Sequence, residues 1–115
     1  MSYERACVLA DVDTEEGHAV TIGAVEVVLA RDGEDVYALQ DLCSHAAVPL
    51  SEGEVYDCQI ECWLHGSAFD LRTGKPAGLP ATEPVATFPV EIRDEPAGPA
   101  VYVDTTTTLN GVTPS

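Results

Sequence analysis

The sequence is poor in basic residues. Its 115 residues include five lysines and arginines against twenty aspartates and glutamates, which gives a formal net charge of −15. Phosphate backbones and anionic membrane surfaces repel such a chain, so neither nucleic acid nor a membrane is expected as a partner. The acidic surface favours solubility, and it can also steer the chain towards a basic partner protein.

Long apolar runs are absent as well. No stretch approaches the ~20 apolar residues of a membrane-spanning helix. The N-terminal segment 1–5 (MSYER) lacks the basic and then apolar order of a secretory signal. We therefore expect a soluble, cytoplasmic protein. The length fits one domain with its own hydrophobic core, and we expect a monomer.

Helical periodicity is also weak, and short β-branched runs separated by turn residues dominate. The predicted strands are 6–10, 18–22, 25–30, 36–39, 59–62, 68–71, 85–92 and 100–103. Asp32-Gly33 lies between two of these runs and predicts a hairpin. This spacing predicts an all-β fold, an antiparallel β-sandwich or partly open barrel, over residues 1–104. The remaining segment 105–115 has little apolar content and is expected to be a flexible tail.

Four cysteines and three histidines are present, and four of these seven residues form two pairs. Cys43 and His45 form a C-x-H pair, and Cys62 and His65 form a C-x-x-H pair. Each pair offers one soft thiolate and one imidazole, and two such pairs indicate a metal site. The other two cysteines, Cys7 and Cys58, have no neighbouring histidine, and we interpret them as small buried apolar residues.

Two kinds of metal site use these ligands. Zinc sites usually pair cysteine with cysteine and histidine with histidine, whereas both pairs here are mixed. A two-iron cluster would be bound from two loops and needs close approach of the backbone, which Gly66 permits because it lacks a Cβ atom. Ser67 could donate a hydrogen bond to a cluster sulfur, and Pro80 could form a lid that has no N–H of its own. These neighbours favour the cluster, and a zinc site remains the alternative.

A resemblance to Rieske ferredoxins lies in three stretches, 43–49, 61–70 and 72–75. The run 60–85 (IECWLHGSAFDLRTGKPAGLPATEPV) is similar to soluble ferredoxins that serve bacterial ring-hydroxylating oxygenases. The resemblance implies the Rieske fold, with a cluster-binding subdomain at about 43–71 made of two loops and inserted in the β base. It implies one [2Fe–2S] cluster with four ligands, namely Cys43, His45, Cys62 and His65.

The same resemblance implies a one-electron carrier without catalytic residues of its own. Such a carrier would pass electrons from a flavin-dependent ferredoxin reductase to a terminal non-haem iron oxygenase. A terminal oxygenase also needs a mononuclear iron held by two histidines and a carboxylate. Only His18 remains once the cluster has taken two histidines, so this chain cannot build that second site. A structural zinc-binding interaction domain and the small subunit of a nitrite reductase-like complex are the alternatives.

Three positions depart from the family pattern. Val48 and Leu64 stand where Rieske proteins of respiratory chains have a pair of bridging cysteines, and Phe69 stands where the family has a tyrosine. Without the tyrosine hydroxyl and without the disulfide bridge, we predict a midpoint potential toward the low end of the range of ~ −150 to +300 mV for Rieske centres. Trp63, between two ligands, could cover the cluster or present its aromatic ring to a partner, and we favour the packing role. Leu64, Val48, Pro49 and Leu50 are predicted to form an apolar rim around the site.

Overall fold

The structure is a computed structural model that describes residues 3–44, 48–64, 66–77 and 81–114. The strands are β1 (Glu4–Val8), β2 (His18–Ile22), β3 (Val25–Asp32), β4 (Asp35–Gln40), β5 (Val55–Tyr56), β6 (Gln59–Glu61), β7 (Ala68–Asp70), β8 (Thr87–Phe88), β9 (Val90–Arg93) and β10 (Ala100–Val103). Two short 3-10 helices lie at Leu9–Asp11 and Leu50–Glu52. Within the described ranges, no helix has the length and apolar character needed to cross a membrane.

The strands form three antiparallel sheets. The base sheet has the order β1-β10-β9, the middle sheet has the order β2-β3-β4-β8, and the small sheet has the order β5-β6-β7. All pairs between neighbouring strands are antiparallel. The predicted all-β, antiparallel fold is therefore confirmed, and the sheets are open rather than closed into a barrel.

The middle sheet separates two hydrophobic cores because its strand β3 is buried on both faces. Val27 and Leu29 pack into the core shared with the base sheet, while Val28 and Ala30 pack into the core shared with the small sheet. Successive side chains of a strand point to opposite faces, so four consecutive apolar residues serve both cores. The fold is a stack of three layers, in which the middle sheet lies between the base sheet and the small sheet.

The predicted strands agree with the observed ones except in three places. The first strand spans Glu4–Val8 rather than residues 6–10, and Leu9 and Ala10 lie in a 3-10 helix instead. The short strand β5 was missed, because two residues do not produce a detectable alternation. The predicted strand 85–92 is two strands that belong to different sheets. Pro89 separates them, since it has no N–H to donate to a ladder. β8 pairs with β4 in the middle sheet and β9 pairs with β10 in the base sheet, so the chain changes layers at this proline.

Several hairpin turns contain residues with positive φ angles. The predicted turn after β3 is present, with Gly33 at φ +63°. The turn between β5 and β6 consists of Asp57 and Cys58, which have φ of 50° and 57°, although this conformation favours glycine and asparagine. Cys58 and Cys7 are both buried, as predicted. The Cys58 thiol has in addition a polar partner, because Arg72 Nε donates to its Sγ at 3.3 Å.

The segment after β10 makes specific contacts that the sequence did not predict. The N–H of Leu109 donates to the carbonyl of Thr87 at 2.8 Å. The side chain of Asn110 donates to the carbonyl oxygens of Thr73 at 2.9 Å and Val85 at 2.8 Å. These bonds join the segment to the turn after β7 and to the chain before β8. The predicted flexibility of residues 105–115 concerns motion, which these contacts do not test, so it stays a prediction.

Candidate metal centre

The two cysteines of the sequence motif each begin a tight loop. Cys43 follows β4, and its N–H donates to the carbonyl of Val48 at 3.0 Å. Cys62 follows β6, and its N–H donates to the carbonyl of Ser67 at 2.6 Å. We call residues 43–48 the first ligand loop and residues 62–67 the second ligand loop. Both loops are thus closed in the same way, by a bond from the cysteine to the fifth residue after it.

The two cysteine side chains lie in one hydrophobic core. Cys43 is 3 % exposed and Cys62 is 1 % exposed, and both belong to the core between the middle and small sheets. The predicted alternation along β6 is confirmed, because Cys58 and Ile60 are buried with Cys62 while Gln59 and Glu61 are not. The strand thereby delivers the second cysteine to the same apolar environment as the first.

A buried carboxylate anchors the first ligand loop. Asp41 is 8 % exposed, and its two oxygens accept the N–H of Ser51 at 2.7 Å and the hydroxyl of Ser51 at 2.8 Å. This pair of bonds joins the chain just before the loop to the chain just after it. Sequence reasoning missed Asp41, although a charged residue at the end of an apolar strand and two residues before a ligand was a usable signal.

A second buried polar side chain supports the same loop. Gln40, which is 3 % exposed, accepts the N–H of Ala86 at 3.0 Å and donates to the carbonyl of Leu42 at 3.0 Å. Buried polar groups are costly unless they are hydrogen-bonded, and both ends of this amide are satisfied. The start of the first ligand loop is therefore connected to the chain before β8.

The second ligand loop depends on backbone conformation. Gly66 has φ +76°, a left-handed conformation that L side chains rarely adopt, and its N–H donates to the carbonyl of Cys62 at 2.9 Å. Among the described residues, a Cβ atom at Gly66 would meet only Glu61 Oε1, at 3.8 Å. The left-handed backbone angle by itself favours glycine at this position, and the close approach of Gly66 to a cluster stays a prediction.

The two ligand loops meet through a second glycine, Gly53, which sequence reasoning also missed. It follows the 3-10 helix Leu50–Glu52 with φ −92°, an angle that any residue can adopt. A Cβ atom there would collide with the carbonyl oxygen of Glu61 and would lie 2.8 Å from its carbonyl carbon. Glu61 directly precedes Cys62. Gly53 therefore brings the chain after the first loop into backbone contact with the base of the second loop.

A third segment, residues 81–83, contacts one hydroxyl from each ligand loop. Ser44 Oγ donates to the carbonyl of Glu83 at 2.6 Å, and the N–H of Ala81 donates to Ser67 Oγ at 3.1 Å. Ser67 is 2 % exposed. Because its oxygen acts as an acceptor in this bond, its hydroxyl proton remains available for a second partner. Pro80, the predicted lid, lies outside the described residues, directly before this segment.

The predicted apolar rim is only partly correct. Leu64 is 40 % exposed, and Val48 and Pro49 are half-buried, whereas Leu50 is fully buried in the core. Trp63 is 51 % exposed, so the structure presents its indole to the surface, which agrees with the partner-facing role rather than with the favoured packing role. Trp63 and Leu64 thus give the second ligand loop an exposed apolar tip.

The donor set fits a two-iron cluster. Cys43 and Cys62 are brought into one buried environment at the heads of two matching loops. His45 and His65 lie outside the described residues, and the chain places each of them inside one of these loops. Two thiolates and two imidazoles are the ligands of a [2Fe–2S] cluster in which two histidines replace two cysteines on one iron.

Comparisons with known proteins agree with this chemistry. The model of the Rieske [2Fe–2S] domain matches residues 3–89. The ferredoxin subunit of 3-phenylpropionate/cinnamic acid dioxygenase from Escherichia coli is 41% identical over 106 residues, which are 90% of this chain and 94% of that subunit. The family match extends over both ligand loops and ends at Pro89, directly before β9.

Solved structures show the same fold. The ferredoxin of carbazole 1,9a-dioxygenase from Nocardioides aromaticivorans has a TM-score of 0.81 at 34% identity, over 90% of this chain and 97% of that one. A ferredoxin in a complex of reduced oxygenase and oxidised ferredoxin of carbazole 1,9a-dioxygenase has a TM-score of 0.78 at 35% identity, over 88% and 91% of the two chains. On its motifs, its loops and these matches, the chain belongs to the Rieske [2Fe–2S] domain family.

Proposed function

We propose that the two ligand loops hold one [2Fe–2S] cluster between them through four side chains, namely Cys43, His45, Cys62 and His65. The thiolates of the two cysteines would bind one iron, and the imidazoles would bind the other. The observation that carries this assignment is the burial of both cysteine side chains in one core, at the heads of two loops with the same backbone closure. Trp63, Gly66, Ser67 and Pro80 would surround the ligands.

The protein is a ferredoxin that carries electrons as a component of a dioxygenase system and is not catalytic alone. When bound, the cluster takes up and releases one electron. The chain excludes water from the cysteine side, because Cys43 and Cys62 lie in the core. It exposes the tip of the second ligand loop through Trp63 and Leu64, so a partner can approach on that side.

The immediate partners are part of the proposal. The acceptor would be a terminal non-haem iron oxygenase, and the solved complex of an oxygenase with its ferredoxin, a protein 35% identical to this chain, supports that assignment. The donor would be a flavin-dependent ferredoxin reductase. We further propose a cytoplasmic monomer in which residues 1–104 form one domain, with a cluster-binding subdomain at about 43–71.

The two alternatives have less support. A structural zinc domain would not require Ser67 to keep a proton available beside the ligands, and the matching family is one of [2Fe–2S] domains. A nitrite reductase-like small subunit that keeps the fold without the cluster would have no need of the four ligand residues, all of which are present.

Replacing one ligand histidine tests the assignment. We expect His65→Ala to lose the visible absorption bands and the electron paramagnetic resonance signal of mixed histidine and cysteine ligation, because one iron loses half of its protein ligands. His18→Ala is the matched control. His18 begins β2 at the outer edge of the middle sheet, and this variant should keep both spectra. A colourless wild-type protein with one zinc per chain would contradict the proposal, as would an unchanged cluster in His65→Ala.

A further inference from the structure

A hydrogen bond on the small sheet holds a carboxylate beside the second ligand loop. Tyr56 lies on β5 and Glu61 ends β6, and the Tyr56 hydroxyl donates to Glu61 Oε2 at 2.8 Å. Both side chains are on the outer face of the sheet, because Val55 and Ile60, which alternate with them, are buried. The bond runs diagonally across the hairpin and restricts the position of the carboxylate.

The Glu61 carboxylate lies close to the chain on both sides of the ligand segment Cys62–His65. Glu61 directly precedes Cys62 in the chain. Its other oxygen, Oε1, lies 3.8 Å from the point that a Cβ atom of Gly66 would occupy, and Gly66 directly follows His65. The hydrogen bonds described above that close or anchor the two loops do not use this carboxylate.

A fixed negative charge at this place acts on the redox equilibrium. Reduction adds one negative charge to the cluster, and a nearby carboxylate disfavours the more negative state through Coulomb repulsion. We propose that Glu61, held in place by Tyr56, is a positioning and tuning residue that lowers the midpoint potential and so makes the ferredoxin a stronger electron donor. This inference rests on the proposed ligation of the cluster by the two loops.

The position of Glu61 distinguishes it from the other acidic residues except Asp41, which lies two residues before Cys43 and has both oxygens bonded to Ser51. The chain has twenty of them, and most are exposed to water, which screens their charges over a Debye length of about 8 Å at physiological ionic strength. Glu34 is a suitable comparison, because it is exposed in the turn between β3 and β4. That turn is at the opposite end of β4 from the first ligand loop. Removing its charge alters the net charge equally without altering the surroundings of the cluster.

The phenol of Tyr56 reports on the contact independently of the cluster. The hydrogen bond to Glu61 raises the pKa of Tyr56, because ionising the phenol would break this bond and place two negative charges side by side, and burial adds a smaller effect. Asp57 and Glu54, the other charged groups near the phenol, are also acidic and raise the pKa of Tyr56 further. Ultraviolet titration of tyrosine therefore detects whether the contact exists in solution.

Three variants of the cluster-loaded protein test the inference by redox titration. Glu61→Gln keeps the shape of the side chain and an oxygen that can accept from Tyr56, but it removes the charge. We expect the equilibrium constant for its reduction by a fixed donor to rise about threefold or more, equivalent to a rise in midpoint of about 28 mV for one electron. Tyr56→Phe keeps the charge but releases it towards water, so its midpoint should rise less. Glu34→Gln should leave the midpoint nearly unchanged.

The double variant Tyr56→Phe/Glu61→Gln completes the cycle. Its midpoint should equal that of Glu61→Gln, because Tyr56 acts only through the carboxylate. In Glu61→Gln the pKa of Tyr56 should fall towards its ordinary value, while the electron paramagnetic resonance spectrum should keep the wild-type shape. A midpoint for Glu61→Gln that equals that of Glu34→Gln, or lies below wild type, would overturn the inference while leaving the proposed function intact. Absence of a Rieske spectrum in the wild-type protein would instead overturn the proposed function.

Discussion

The two ligand loops share one closure but are held in different ways. Each is closed by a bond from its cysteine N–H to the carbonyl of the fifth residue after it. The first loop is anchored by side chains, chiefly by the two bonds from Ser51 to the buried carboxylate of Asp41. The second loop is anchored mainly by its backbone, through the left-handed Gly66 and the close approach of Gly53 to the Glu61 carbonyl, and Ser67 Oγ adds one bond by accepting the N–H of Ala81. Similar loop geometry therefore arises from different local chemistry.

This difference predicts where each loop is vulnerable. A loop held by side chains fails when a polar partner is removed, because a buried donor is then left without an acceptor. A loop held by its backbone fails when a Cβ atom is added, because the strain cannot be relieved by changing a rotamer. The glycine at the junction of the loops affects both of them at once.

The largest effect is expected at this junction. Gly53→Ala places a methyl group against the carbonyl of Glu61, so β6 and the first loop must move apart. We expect a loss of about 3 kcal/mol or more in the free energy of unfolding, together with a large loss of cluster content. Chemical denaturation and iron analysis measure the two quantities. An alanine variant with wild-type stability and full cluster content would show that the loops do not depend on this contact.

The next largest effect is expected in the anchor of the first loop. Asp41→Ala leaves the N–H and hydroxyl of Ser51 without their acceptor, and hydrogen bonds to charged groups contribute about 1.5–3 kcal/mol. We expect a loss of that size in the free energy of unfolding. Asp41→Asn, which keeps one acceptor oxygen, should lose less. Equal stability of the two variants would mean that Asp41 anchors the loop by its volume and not by its bonds.

A smaller effect is expected in the second loop from Gly66→Ala. A left-handed φ costs an L residue about 1 kcal/mol. Gly23→Ala is the matched control, because Gly23 has φ +61° in the turn between β2 and β3 and nothing within 4 Å of its Cβ position. The two variants should lose similar stability, but only Gly66→Ala should alter the cluster spectrum. A normal spectrum in Gly66→Ala would show that cluster binding does not depend on the left-handed conformation at residue 66.

The smallest effect is expected from the two hydroxyls that contact the third segment. Ser67→Ala removes the proton that we propose is donated to a cluster sulfur. A hydrogen bond of about 1 kcal/mol would correspond to a midpoint lower by about 40 mV for one electron. Ser44→Ala removes a bond to the same segment, whose acceptor is the backbone carbonyl of Glu83. It should leave the midpoint near that of wild type. A fall of equal size in both variants would assign the effect to movement of the third segment.

Much of the fold could be predicted from local patterns. The alternation along β6 correctly assigned Cys58, Ile60 and Cys62 to the buried face, and the β-branched runs located most of the strands. Patterns of this kind are predictive because period-two burial follows from strand geometry alone. The change of sheet at Pro89 was missed, since the apolar run continues through it and only pairing with different neighbours separates β8 from β9.

The anchors of the site could not be predicted in the same way. Asp41 contacts Ser51, and Gly53 contacts Glu61, across gaps in the chain that no local pattern spans. The sequence also could not decide between the two roles considered for Trp63, because a hydrophobic side chain in a loop has no periodic partner that reports which way it faces. These features depend on how separate elements pack together.

The sequence by itself determined the chemistry of this protein: the pairing of each cysteine with a histidine, the β-rich fold and the strongly acidic surface. These properties follow from residue type and short-range spacing, which any local conformation of the chain preserves. Only the tertiary structure decided how the two loops are held together, and which one of twenty carboxylates lies beside the second of them. Such placement depends on the packing of strands that are distant in sequence. Two loops can stabilise each other only after folding has brought them into contact.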